Sequence, residues 1–240
     1  MIRKFLYITV TGLCLTLSSC IDSFLDRKPM DVISDNVVWG NESALRAYLA
    51  DMYDNVQVEP HEWKTASEGF VTHYTDESLR CYTWGIPYNP TIPDNWLNDY
   101  TGNQTRWEYN KVRIINEFIE KIPNADISQA EKDRFLAEAC FLRAFNYFVM
   151  VKRYGGVPLV REAQKYDGNN ISELKVPRSR EEETWDFIAE DLDRAIAGLP
   201  ETNASAEQFR ATRYAAYALK SRAMLHAGSI ARYGNVQLNG

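Results

Sequence analysis

The sequence contains few of the residues from which metal sites, disulfide frameworks and nucleotide-binding loops are built. Its 240 residues include four cysteines and three histidines, and His61, His73 and His226 do not have the spacing of metal ligands. No G-x-G-x-x-G, Walker-type or G-x-S-x-G motif occurs. The adjacent carboxylates Asp76 and Glu77 fit a solvated loop better than the acid–base pair of a glycosidase. We expect no metal, no cofactor and no catalytic site.

Basic charge and long apolar runs are also scarce. The chain carries 27 Lys and Arg against 33 Asp and Glu, a formal net charge of −6. A nucleic-acid-binding protein needs a basic surface, so this balance argues against a nucleic-acid partner. The apolar run 5–17 has 13 residues, whereas a membrane-spanning helix needs about 20. Any attachment to a membrane must therefore come from something other than this run or a polybasic patch.

The first twenty residues have the pattern of a bacterial lipoprotein signal. Two basic residues, Arg3 and Lys4, precede the apolar run, and the run ends in Leu17-Ser18-Ser19-Cys20. A small residue pair before a cysteine is typical of the site where that cysteine is acylated and the signal removed. We predict a signal peptide over 1–19, a lipid anchor on Cys20 and a mature chain of 20–240 with a net charge of −8.

The mature chain would keep two unmodified cysteines, Cys81 and Cys140, since Cys14 is removed with the signal. Two cysteines are too few for a disulfide framework. They can form a single bridge or remain free. Cys140 lies in a helical pattern, which favours a small packed side chain.

The hydrophobic periodicity predicts an all-α protein. Apolar residues recur at helical spacing in five segments, and no segment alternates with a period of two. The predicted helices are 41–56, 105–122, 128–154, 179–199 and 212–227. Their succession favours tetratricopeptide-like helical pairs, although the 34-residue consensus is missing and a generic helical bundle remains an alternative.

Local signals define the helix ends. Asn41 is suited to cap the first helix, and capping boxes open the third and fourth helices at Ser128–Glu131 and Ser179–Glu182. Helix-breaking residues follow the helices at Pro123, Gly155-Gly156, Pro200 and Gly228. Among the long side chains, Trp107, Tyr147 and Trp185 lie on apolar stripes and are predicted core residues. Arg143 is predicted to be a paired structural arginine whose stem packs in the scaffold.

Two long segments, 59–104 and 157–178, interrupt the helices. The first is rich in proline, tryptophan and tyrosine. Flat aromatic rings and polar side chains together suit a sugar, which presents C–H faces and a rim of hydroxyls. The alternative is that several of these rings pack the loop onto the helices. The candidate ligand-binding residues are Asp76, Arg80, Trp84, Tyr88, Trp96, Asn98 and Tyr100, with Asn89 as a further hydrogen-bonding group.

Four strings follow one another in a familiar order after the acylated cysteine. They occupy 24–31, 138–160 (which includes Gly155-Gly156-Val157-Pro158), 177–200 and 212–223. In this order the sequence resembles the SusD/RagB family of outer-membrane nutrient-binding lipoproteins. Family members are considerably longer, so the chain resembles their N-terminal half.

The resemblance implies a function that the spacing of residues does not give. SusD-like proteins are not enzymes. They face the cell exterior on a lipid anchor, capture oligosaccharides or in some relatives peptides, and deliver them to a SusC-like TonB-dependent outer-membrane transporter. The expected ligand site lies partly in the loop between the first helices. The rival hypothesis is a helical scaffold lipoprotein that binds a protein partner.

Overall fold

The computed structural model describes residues 38–56 and 107–234, and within these ranges it contains helices and no strand. The helices are α1 (Glu42–Asn55), α2 (Tyr109–Lys121), α3 (Gln129–Tyr154), α4 (Glu181–Gly198) and α5 (Arg213–Tyr233). Short 3₁₀ helices occupy Ile122–Asn124 and Ser205–Glu207. The predicted all-α class is confirmed.

Side-chain caps explain where three of the helices begin. Asn41 Oδ1 accepts hydrogen bonds from two N–H groups in the first turn of α1, at 2.9 and 3.3 Å. The Ser128 hydroxyl accepts from the N–H of Glu131 at 3.3 Å, and Thr212 caps α5 in the same way through Ala215 at 3.2 Å. Each cap satisfies an N–H group that has no partner within the helix.

Three helix boundaries differ from the sequence prediction, among them the start of α2, which begins at Tyr109 rather than near residue 105. The N-cap of α4 is Arg180, one residue after the predicted Ser179, and the Glu183 carboxylate accepts a hydrogen bond from its N–H at 2.9 Å. Three consecutive glutamates open this helix, so the capping pattern fits in more than one frame. Gly228 does not end α5, which continues to Tyr233, because glycine also adopts ordinary helical angles.

From α3 to α5, consecutive helices pack antiparallel. Contacts between α3 and α4 run in opposite chain order, with Arg143 against Asp191, Tyr147 against Phe187 and Phe148 against Trp185. The same reversal joins α4 to α5, through Asp193 with Lys220 and Trp185 with His226. In contrast, α1 runs parallel to α3, since Arg46 contacts Glu131 and Tyr53 contacts Glu138. This up-and-down succession is the predicted arrangement of helical pairs.

The core lies around α3, the longest of the described helices. Tyr147 is fully buried and Trp185 nearly so, which confirms both as core residues. Burying a large apolar side chain stabilises the fold by roughly 1.5–3 kcal/mol. Among the described residues, no helix is both long enough and apolar enough to span a bilayer.

Candidate ligand-binding site

The predicted ligand-contacting residues lie in 57–106, outside the described residues, and the acylation site Cys20 also lies outside them. The site prediction therefore stays a prediction. The structure does describe the scaffold on both sides of this segment, where the chain leaves α1 and where it returns to α2. The untested candidates are Asp76, Arg80, Trp84, Tyr88, Asn89, Trp96, Asn98 and Tyr100.

Trp107, at the point of return, is not the core residue that the sequence predicts. Its side chain is 51% exposed. It precedes Glu108, the N-cap of α2, so it lies outside the helix and the period of 3.6 residues does not apply to it. The predicted helical stripe was therefore extended too far towards the N-terminus. An exposed indole lies immediately after the aromatic-rich segment.

Two tyrosines hold this indole from the scaffold side. The ring centroids of Trp107 and Tyr109 are 5.2 Å apart, and those of Trp107 and Tyr154 are also 5.2 Å apart, both in edge-to-face geometry. The Tyr109 hydroxyl donates to the carbonyl oxygen of Pro158 at 2.7 Å. Burial raises the pKa of the Tyr109 phenol, so it remains a protonated donor at neutral pH. The indole thus rests on rings that α2 and α3 fix in place.

A non-helical segment, 157–164, is bonded to both α2 and α3, and we call it the strap. Asn116 Nδ2 donates to the carbonyl oxygen of Val160 at 2.8 Å. The Val160 N–H in turn donates to the Tyr147 hydroxyl oxygen at 2.9 Å, and burial raises the pKa of Tyr147 to about 12. Further bonds join Arg113 to the Gln164 carbonyl at 2.9 Å and the Ala163 N–H to Glu120 at 2.6 Å.

A buried ion pair lies beneath the strap. Arg143 donates to both carboxylate oxygens of Asp191, at 2.7 and 2.8 Å, and to Asn116 Oδ1 at 2.8 Å. It also donates to the Arg161 carbonyl in the strap at 3.1 Å. Burial alone would lower the pKa of Arg143, but the bonds and charge of Asp191 outweigh burial and raise it. Arg143 is thus the paired structural arginine that the sequence predicts.

The glycine pair after α3 is required by close packing. Gly155 has φ +68°, a left-handed conformation that favours glycine. A Cβ on Gly156 would lie 2.1 Å from the Ser179 carbonyl oxygen. Arg178 donates to the carbonyl oxygens of Tyr154 and Gly156 and so satisfies the end of α3. This turn starts the strap.

A second polar cluster fixes α1 before the aromatic-rich segment. The Tyr53 hydroxyl donates to Glu138 at 3.1 Å and accepts from the Ala211 N–H at 2.9 Å. Glu138 also lies 3.4 Å from Arg134 and 3.7 Å from Arg210. Burial raises the pKa of Glu138, and the arginines oppose the shift without cancelling it. The cluster ties α1 to α3 and to the connection before α5.

Among the described residues, the remaining side chains that could react or bind a metal have structural roles. Within it, no group of three or more His, Cys, Asp or Glu side chains is placed to hold a metal ion. His226 stacks on Trp185 with ring centroids 6.3 Å apart. Cys140 is a free, fully buried thiol rather than half of a bridge to Cys81. Burial raises its pKa to about 11, so the nucleophilic thiolate is suppressed.

The sequence prediction missed the strap, which it assigned only to a loop over 157–178. One signal was available in the chain. Asn116 lies between Ile115 and Phe118 on the buried stripe of α2, and a buried amide needs hydrogen-bond partners. Its partners, Val160 and Arg143, are distant in sequence, so the pattern of α2 by itself does not identify them.

Comparison with known proteins gives a consistent result. A family model described as "Starch-binding associating with outer membrane" matches residues 23–225. A SusD-like protein of Bacteroides ovatus is 28% identical over 226 residues, which are 92% of this chain and 39% of the relative. The crystal structure of a SusD-like protein from Bacteroides fragilis is 33% identical, with a TM-score of 0.65 over 84% of this chain and 38% of that one.

A solved laminarin-binding SusD-like protein has the same fold at 23% identity. Its TM-score is 0.56, over 80% of this chain and 42% of that chain. The chain therefore spans about two fifths of the length of the relatives that it matches.

Proposed function

Because the chain belongs to the SusD-like family, whose model covers residues 23–225, we propose that it forms the N-terminal helical part of a glycan-binding lipoprotein. The protein captures oligosaccharides at the outer membrane and delivers them to a SusC-like TonB-dependent transporter. It carries out no chemistry on its ligand. The family match is the observation that carries this proposal.

The acyl chains on Cys20 attach the protein to the outer membrane, with the helical scaffold facing the cell exterior. Each buried methylene of an acyl chain contributes roughly 0.8 kcal/mol, and more than one chain gives stable anchoring. The acidic net charge of the chain leaves the anchor, rather than a basic patch, as the means of attachment.

The ligand is a polysaccharide or an oligosaccharide derived from one, with glucose polymers as the first candidates. The matching family model is described as starch-binding, and one relative of the same fold is described as laminarin-binding. Starch and laminarin are both polymers of glucose. The rings of Trp84, Trp96 and their neighbours in 74–100 supply the stacking surfaces, and Asp76, Arg80 and Asn98 bind the hydroxyls.

Isothermal titration of the complete gene product against a panel of polysaccharides tests the proposal. We expect heat of binding with at least one glycan. Trp84→Ala and Trp96→Ala should each weaken that binding about tenfold, roughly 1.4 kcal/mol, with little change in the thermal melt. Phe209→Ala is the matched control, since this ring is 94% exposed outside the proposed site.

The absence of heat with every glycan would contradict the proposal and favour the rival scaffold function. One observation supports that rival. The face of α5 opposite its buried residues Ala216, Leu219 and Ala223 exposes Tyr214, Tyr217, Met224 and Leu225. An apolar helix face of this kind is suited to a protein contact.

A further inference from the structure

Trp107 combines exposure with an unusual degree of support from the scaffold. About half of its side chain is open to solvent, while Tyr109 and Tyr154 both contact its ring in edge-to-face geometry. Tyr109 is itself bonded to the Pro158 carbonyl. A large apolar ring is normally either buried or left singly on the surface. Here one exposed indole and two partly buried phenol rings, from two helices and the adjoining chain, form one unit.

The hydrogen bonds around this unit limit its movement. The strap that receives the Tyr109 hydroxyl is bonded to α2 through Asn116 and to α3 through Tyr147. Arg178 is bonded to the backbone carbonyl of Tyr154. When a ligand binds to a ring that is fixed in this way, little binding free energy is lost to ordering protein side chains. The unit is therefore preorganised for binding a flat apolar face.

The polar groups that adjoin Trp107 in sequence favour a neutral ligand with hydroxyls. Glu108 lies beside Trp107 in sequence and is paired with Lys111 at 3.5 Å, so the two charges largely compensate each other. Asn110 is exposed in the first turn of α2 and offers both a hydrogen-bond donor and an acceptor. An amide and a compensated ion pair suit sugar hydroxyls better than they suit a phosphate or a carboxylate.

We propose that Trp107, supported by Tyr109 and Tyr154, is a stacking platform for a pyranose ring of the glycan. The proposal rests on the glycan-binding function above and assigns one contact within it. Hexopyranoses with equatorial hydroxyls fit best, because their ring C–H groups point axially and both faces can lie flat on an indole. Gluco-configured oligosaccharides should therefore bind more tightly than manno-configured ones, whose axial O2 interrupts one face.

Titration of the complete gene product with maltoheptaose, laminarihexaose, cellohexaose and mannohexaose tests this assignment. Trp107→Ala should weaken the tightest of these interactions about tenfold, whereas Trp107→Phe should retain affinity within about threefold. Phe209→Ala, the exposed-ring control, should leave affinity unchanged. Unchanged affinity in Trp107→Ala would overturn the platform while leaving the glycan-binding function intact.

A footprinting measurement on the unmodified protein covers the case in which Trp107→Ala is poorly folded. Hydroxyl-radical oxidation of Trp107, quantified by mass spectrometry, should fall severalfold at a saturating oligosaccharide concentration. Oxidation of Phe209 should stay constant. Equal oxidation of Trp107 with and without bound sugar would overturn the platform. Failure of the wild-type protein to bind any of these sugars or the polysaccharide panel would instead reject the glycan-binding function itself.

Discussion

At position 143 the protein buries a guanidinium in the middle of α3. The sequence supports a paired arginine there, because a charged side chain on an apolar stripe needs a partner. It does not identify Asp191 as that partner, since Asp191 is one of several acidic residues in α4. For Trp107, in contrast, the environment predicted from the sequence is wrong. Its residue type and register both fit a core position, and only the start of α2 at Tyr109 places it outside.

The Arg143–Asp191 pair gives a stability prediction. Arg143→Met should destabilise the protein by about 3–5 kcal/mol, because it leaves a buried carboxylate without its cation. The double variant Arg143→Met/Asp191→Leu should recover most of that loss, since neither charge of this pair then remains buried. Urea unfolding of the wild type and both variants measures the difference. A double variant no more stable than Arg143→Met would show that the pair is not the source of the loss.

Among the helices, the boundaries set by a single strong signal were predictable. Asn41 and Ser128 cap α1 and α3 as their sequence context indicates, and the glycine pair ends α3. The start of α4 was one residue off, because Glu181, Glu182 and Glu183 offer more than one capping frame. Gly228 was misassigned because an isolated glycine is compatible with both a helix end and a helix interior. The strap was missed because its bonds join residues far apart in sequence.

Two glycine substitutions test the assigned length of α5 and the tight turn that follows α3. Gly228→Ala should stabilise α5 by about 0.5–1 kcal/mol, since the position is helical and, apart from the adjoining residues and backbone of α5 itself, no heavy atom lies within 4 Å of the added Cβ. Gly156→Ala should instead destabilise the protein by at least about 2 kcal/mol, because the Cβ collides with the Ser179 carbonyl. Thermal melts of the two variants give the comparison. A loss of stability in Gly228→Ala would contradict a helix that continues past this residue.

For the whole molecule, periodicity and capping were sufficient to predict the class and the number of described helices. The antiparallel order follows from pairs such as Phe148 with Trp185, which periodicity does not give. The order of the sequence motifs indicates the family, and the family model that matches residues 23–225 confirms it. The ligand residues in 74–100 stay predictions, because loop geometry depends on tertiary contacts that local patterns do not encode. What the scaffold contributes is a fixed attachment for that segment, at Tyr53 before it and at Trp107 after it.

The central claim is that this helical scaffold holds an aromatic surface against a glycan. A crystal structure of the complete gene product with its tightest-binding oligosaccharide tests it most directly. We predict a pyranose ring in van der Waals contact, about 4 Å, with one or more of Trp84, Trp96 and Trp107. Sugar bound away from segment 74–107, or indoles of that segment turned into the helical core, would contradict the claim.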